Sequence, residues 1–175
     1  TASIDLNLGK KIPVDKTKPF LIDPCDTQNN GEEMVDLTQF ENSIYNGAAT
    51  FEYYPNITDI NNETNKIATP ADYLFKENLG SQKIFVKVSA TGFCPDVVEI
   101  TVKFKKTPMF SLPDYYFCSD GFVDIKPDFS NLNITSFEWL DPDGKVVSQT
   151  DQLLNVKIAG IYKIKVIGSN GCTFS

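Results

Sequence analysis

Cys25, Cys94, Cys118 and Cys172 are the residues of this 175-residue chain best suited by type and spacing to covalent chemistry. Thiols can bind metal, attack as nucleophiles or join in disulfides. Zinc sites usually place cysteines in close pairs, and no C-x-x-C occurs here. The chain has no His, which removes the commonest general base and rules out Ser-His-Asp and Cys-His catalysis. It has no Arg either, so no side chain offers a planar fork to phosphate or guanine. A net charge of -7 repels nucleic acid and anionic lipid. No glycine-rich phosphate loop and no Ser-x-x-Lys is present. Paired carboxylates have no sequence signature of their own. The expectation is a protein that is not an enzyme, carries no cofactor and does not bind nucleic acid. An even number of widely spaced cysteines suits structural disulfides in an oxidising compartment. Cys25–Cys94 spans 69 positions and Cys118–Cys172 spans 54. Of the three connectivities, this one keeps each bridge inside one domain-sized segment and is the one expected. Each such loop contributes roughly 4 kcal/mol on the chain-entropy model.

The elements that must position these cysteines are strands. Val98, Ile100, Val102 and Phe104 alternate with Glu99, Thr101 and Lys103, the period of a half-buried strand. Ile84, Val86 and Val88 repeat the pattern, as do Tyr162, Ile164 and Val166, and Leu154, Val156 and Ile158. Ala49, Phe51 and Tyr53 form another stripe, and Phe137 with Trp139 a short one. Turn formers separate the runs: Asn29-Asn30-Gly31, Asn46-Gly47, Asp120-Gly121, Asp141-Pro142-Asp143-Gly144 and Asn170-Gly171. Thr69-Pro70 marks a helical turn or plain coil. No apolar run reaches the ~18–20 residues of a membrane helix, so direct membrane insertion is not expected.

The fold class expected is all-β: two tandem immunoglobulin-like antiparallel β-sandwich domains. Lys105-Lys106-Thr107-Pro108 breaks the chain between them. Residues 19–106 are expected to form one repeat and 109–175 a second, PKD-like one, truncated at its last strand. Residues 1–18 are the end of a preceding repeat, or a first strand plus linker. No leader opens the chain, and Thr1 is expected to begin a mature protein or a fragment.

Both segments follow one plan. A cysteine follows a Pro-containing lead-in (Pro24-Cys25; Pro113 to Cys118), and a second cysteine closes a late strand (Cys94; Cys172). The first segment carries Val35-Asp36-Leu37-Thr38, Phe51-Glu52-Tyr53-Tyr54 and Gln82 to Val88. The second carries Cys118-Ser119-Asp120-Gly121, Phe137-Glu138-Trp139, Gly160-Ile161-Tyr162 and Asn170-Gly171-Cys172. This arrangement resembles the tandem Ig-like and PKD-like repeats of large secreted or surface adhesin-like proteins of Bacteroidota. Many of those are gliding-motility-associated and exported by type IX secretion. The resemblance implies a non-catalytic structural or adhesion module at the bacterial cell surface. Its partners would be neighbouring repeats of the same chain and a surface protein or polysaccharide. Trp139 between Cys118 and Cys172 fits the core of such a domain, and Tyr162 a buried tyrosine on a late strand.

Other readings attach to particular residues. Asp120, Asp141 and Asp143 are turn residues before they are calcium ligands. Tyr115 and Tyr116 are candidate glycan contacts, with core packing as the plainer reading. Asn56, Asn62 and Asn133 open N-x-[ST] triplets consistent with surface loops. Three alternatives to a scaffold follow: a carbohydrate-binding accessory module, a carboxylate-dependent glycosidase, and a subunit completed by a donated strand.

Overall fold

The computed structural model describes residues 2–4, 8–76 and 81–175. The other positions, Thr1 and residues 5–7 of the expected 1–18 segment among them, lie outside the described residues. The structure is mostly β. It divides into two compact units, one of residues 1–24 and 31–104 and one of residues 25–30 and 105–175.

The first unit is built on β1 (Phe20–Ile22), β4 (Thr50–Tyr54), β6 (Gln82–Ser89) and β7 (Asp96–Val102), in the order β1-β7-β6-β4. A smaller ladder pairs β3 (Glu32–Val35) with β5 (Tyr73–Lys76). The expected alternation is what buries the core: Ile84, Val86, Val88, Ile100 and Val102 are each 0% exposed. β6 runs antiparallel to β4 and β7, but β1 joins β7 in parallel, Phe20 opposite Ile100, which corrects the wholly antiparallel expectation. Ile12, 1% exposed, belongs to this core. Lys10 and Ile12 hold the backbone of Cys94 through N–H···O bonds of 2.8 and 3.0 Å. Two helical pieces escaped the period-two reading: Thr38–Phe40 running into α1 (Glu41–Ile44), and α2 (Ile57–Asn62). The second is fixed by Asp59, whose carboxylate accepts from Asn65 (2.9 Å), Asn56 (3.0 Å) and Thr64 (3.1 Å). Those bonds, Asn65 first, hold the acid below its ordinary range against the opposing effect of burial. The Thr69-Pro70 signal becomes one turn of 3-10 helix, Pro70–Asp72.

The second unit has a four-stranded antiparallel sheet in the order β11-β10-β13-β14. Its strands are β10 (Ile134–Leu140), β11 (Val146–Ser148), β13 (Lys163–Gly168) and β14 (Thr173–Phe174). β9 (Val123–Ile125) pairs with β12 (Leu153–Val156), and β2 (Cys25–Asp26) with β8 (Lys105–Lys106). Asp141 to Gly144 is the hairpin turn between β10 and β11, closed by Gly144 N–H to the Asp141 carbonyl at 2.9 Å. β12 departs from its expected stripe. Leu153 and Val156 are buried, whereas Leu154 and Ile158 are 54% and 69% exposed. Asn155 sits at φ 58, the left-handed region, and shifts the alternation by one residue.

Candidate functional site

The site is the junction around Cys25. Between β1 and β3 the chain leaves the first unit, and residues 25–30 belong to the second. β2 is only two residues long and lies parallel to β8, with Cys25 opposite Lys105 and Asp26 opposite Lys106. So short a ladder makes few hydrogen bonds, and side chains supply the rest. Asn29, at φ 50, uses both ends of its amide on one residue. It donates to the Thr107 carbonyl at 2.9 Å and accepts from the Thr107 N–H at 3.0 Å. A carboxamide can replace a strand neighbour in this way because it carries a donor and an acceptor side by side. The Thr107 hydroxyl, on a residue only 4% exposed, donates to the Asp26 carbonyl at 2.6 Å.

The second half of the site is the turn between β13 and β14. Gly171 N–H donates to the Gly168 carbonyl at 2.9 Å, with Gly171 at φ 84, a conformation glycine adopts without strain. Asn170 accepts from Cys172 N–H at 3.1 Å and donates to the Lys106 carbonyl at 2.7 Å. Cys172 is therefore presented to Cys25 by a hydrogen-bonded turn, its Sγ 3.8 Å from the Lys105 carbonyl oxygen. The two are joined in a disulfide, Cα atoms 5.6 Å apart across 147 positions of sequence. Cys172 is 0% exposed, which keeps that sulfur from attack by an outside thiolate. The chemistry this arrangement performs is covalent stapling.

This corrects the expected pairing of Cys25 with Cys94 and Cys118 with Cys172. Cys94 and Cys118 are exposed free thiols. The spacing argument assumed that each domain is one contiguous stretch of chain, but the excursion of residues 25–30 takes Cys25 out of the first unit. Asn29, Asn170 and Thr107 were not expected at the site. The asparagines carried a signal only as turn formers.

The other expected residues fall as follows. Trp139 is 1% exposed in the core, its ring N–H donating to the Thr150 carbonyl at 3.0 Å. Tyr162 is half-buried against the same core, with its hydroxyl 3.2 Å from the Ile158 carbonyl it donates to. Tyr115 and Tyr116 both line a cavity of about 450 Å³, together with Asp114, Trp139, Ile161 and Tyr162. Tyr115 packs on the core, whereas Tyr116 is 84% exposed. Asp141 accepts the N–H groups of Asp143 (3.0 Å) and Lys145 (2.9 Å), so it serves its own turn. Among the described residues no three His, Cys, Asp or Glu side chains are grouped to hold a metal ion.

The model of the Flavobacterium inter-domain disulphide bond domain family matches residues 21–108, just over half of the chain. The chain belongs to this family. Cys25 lies inside the matched stretch of the Flavobacterium inter-domain disulphide bond domain, and Cys172 lies beyond its end. The disulfide thus leaves the domain that the family defines, and the chain is an inter-domain disulfide-stapled module. Membership supports an origin in Bacteroidota. No curated protein matches the chain. A disulfide fits an extracellular or periplasmic location. No described helix is long and apolar enough to cross a membrane.

Proposed function

We propose that the chain is a non-catalytic structural module of a long cell-surface or secreted adhesin-like protein, built from tandem Ig-like repeats. The Cys25–Cys172 staple is the observation that carries this reading. A tension applied at residues 1 and 175 travels along the chain to Cys25, crosses the sulfur bridge and continues from Cys172. The strands between them are bypassed and stay folded under load. Such a bond serves a protein that must hold its shape outside the cell while its ends are pulled. The type IX export route and a role in adhesion or gliding belong to the same reading. They rest on the resemblance of the repeats.

Single-molecule stretching from the two ends tests it. With the bridge intact, only the residues outside the loop lengthen. Reduction should release 147 positions of chain, which at ~3.3–3.6 Å each is about 500 Å of added contour. The same contour length before and after reduction would refute the reading.

The cavity beside Tyr115 and Tyr116 favours a second reading, a carbohydrate-binding accessory module. It lies in the size range of ligand pockets and combines aromatic faces with the Asp114 carboxylate. Glycan-array binding that Tyr116→Ala abolishes would support it, and an array without hits would remove it.

A further inference from the structure

The two free thiols stand where the staple's own cysteines stand, one repeat along. Lys10-Lys11-Ile12-Pro13 precedes the first cysteine, Cys25, as Lys105-Lys106-Thr107-Pro108 precedes Cys118. Cys94 follows β6 after a turn closed by Phe93 N–H to the Ala90 carbonyl at 3.2 Å, with Gly92 at φ 84. Cys172 follows β13 after a turn closed by Gly171 N–H to the Gly168 carbonyl, and in both the cysteine is the next residue. Each of these turns leads into an antiparallel partner strand, β7 or β14. Each late cysteine also lies on a Lys-Lys lead-in. Cys94 is bonded to Lys10 and Ile12, and Cys172 lies against Lys105, with Asn170 donating to Lys106. Lys11 and Lys16 pair with Asp96 at 3.2 and 2.7 Å and pin the first of these lead-ins beside Cys94.

Cys25 and Cys118 are therefore the first cysteines of successive repeats, and Cys94 and Cys172 the second. The bond that exists joins the first cysteine of one repeat to the second cysteine of the next. It is an independent observation of what this pair of positions does.

We propose that Cys94 and Cys118 are halves of two further staples in the same series. Cys94 takes the first cysteine of a preceding repeat, on a strand laid along Lys10-Lys11 as β2 lies along β8. Cys118 takes the second cysteine of a following repeat, carried on its late turn. The partner on either side is another repeat of this class. The proposal rests on the tandem-repeat reading above. Each bond forms as two thiols give up two protons and two electrons to a disulfide oxidant, which leaves as two thiols.

Separate copies of the protein can test the pairing rule, since Cys118 of one copy and Cys94 of another satisfy it. The protein is incubated in a glutathione redox buffer, separated without reductant and mapped by peptide mass spectrometry. Wild type should form a ladder joined through Cys94–Cys118 links between chains. Cys94→Ser alone and Cys118→Ser alone should lose the ladder and stay monomeric, while a mixture of the two should stop at the mixed dimer. Both substitutions replace exposed thiols and leave the cores intact. Three results would overturn the proposal: no link in wild type or mixture, homodimers at the statistical proportion expected of any exposed thiols, or a Cys94–Cys118 bond within one chain. The same maps report Cys25–Cys172. If that bond is missing, the underlying reading fails; if it is present without Cys94–Cys118 links, the proposal alone fails.

Discussion

At the scale of single residues, the staple depends on side chains that imitate backbone. Asn29 gives Thr107 the donor and acceptor that a longer β2 would have supplied. Its φ of 50 is one that asparagine tolerates and alanine does not. Asn29→Ala should therefore remove two hydrogen bonds and add backbone strain, destabilising the second unit by about 1–3 kcal/mol. Thermal melting of the reduced protein, where the disulfide no longer masks the loss, measures this. A variant that melts with wild type would show that the amide is dispensable. Little of this was legible beforehand. Asn29-Asn30-Gly31 announces a turn, and the turn is there, but a sequence does not say that the amide reaches a residue 78 positions away.

At the scale of elements, legibility followed local physics. β6 and β7 could be read because a strand with one buried face must alternate, and Ile84 to Val88 and Val98 to Val102 do so without interruption. The β10–β11 hairpin could be read because Asp141 and Gly144 close it within four residues. β12 could be read only in part, because the left-handed Asn155 puts Leu153, in place of Leu154, on the buried face with Val156. Asn155 N–H, held by Asp124 at 2.9 Å, marks that slip. Asn155→Gly should leave stability nearly unchanged, whereas Asn155→Val should cost about 1–2 kcal/mol, since a β-branched residue resists positive φ. Chemical denaturation of the two variants would decide it. Equal midpoints would mean that the slip does not need a left-handed residue. The helical pieces at 38–44 and 57–62 were hidden for a related reason: they are too short to show a 3.6-residue period, and Asp59 organises the second through its side chain.

At the scale of the whole molecule, cysteine pairing is a property of the chain path, and no local pattern encodes it. The even count and wide spacing correctly pointed to disulfide chemistry. They failed on partners because the segment Cys25–Asn30 belongs to one unit while the residues on either side of it belong to the other. A bond closing so long a loop contributes about 5 kcal/mol on the chain-entropy model, a large part of what a small domain has in total. The central claim is therefore that this bond, and no other, forms inside a single chain. Alkylation of the unreduced protein followed by peptide mass spectrometry tests it most directly. The account predicts a Cys25–Cys172 linked peptide within each chain; linked peptides of Cys25 with Cys94 and of Cys118 with Cys172 would contradict it.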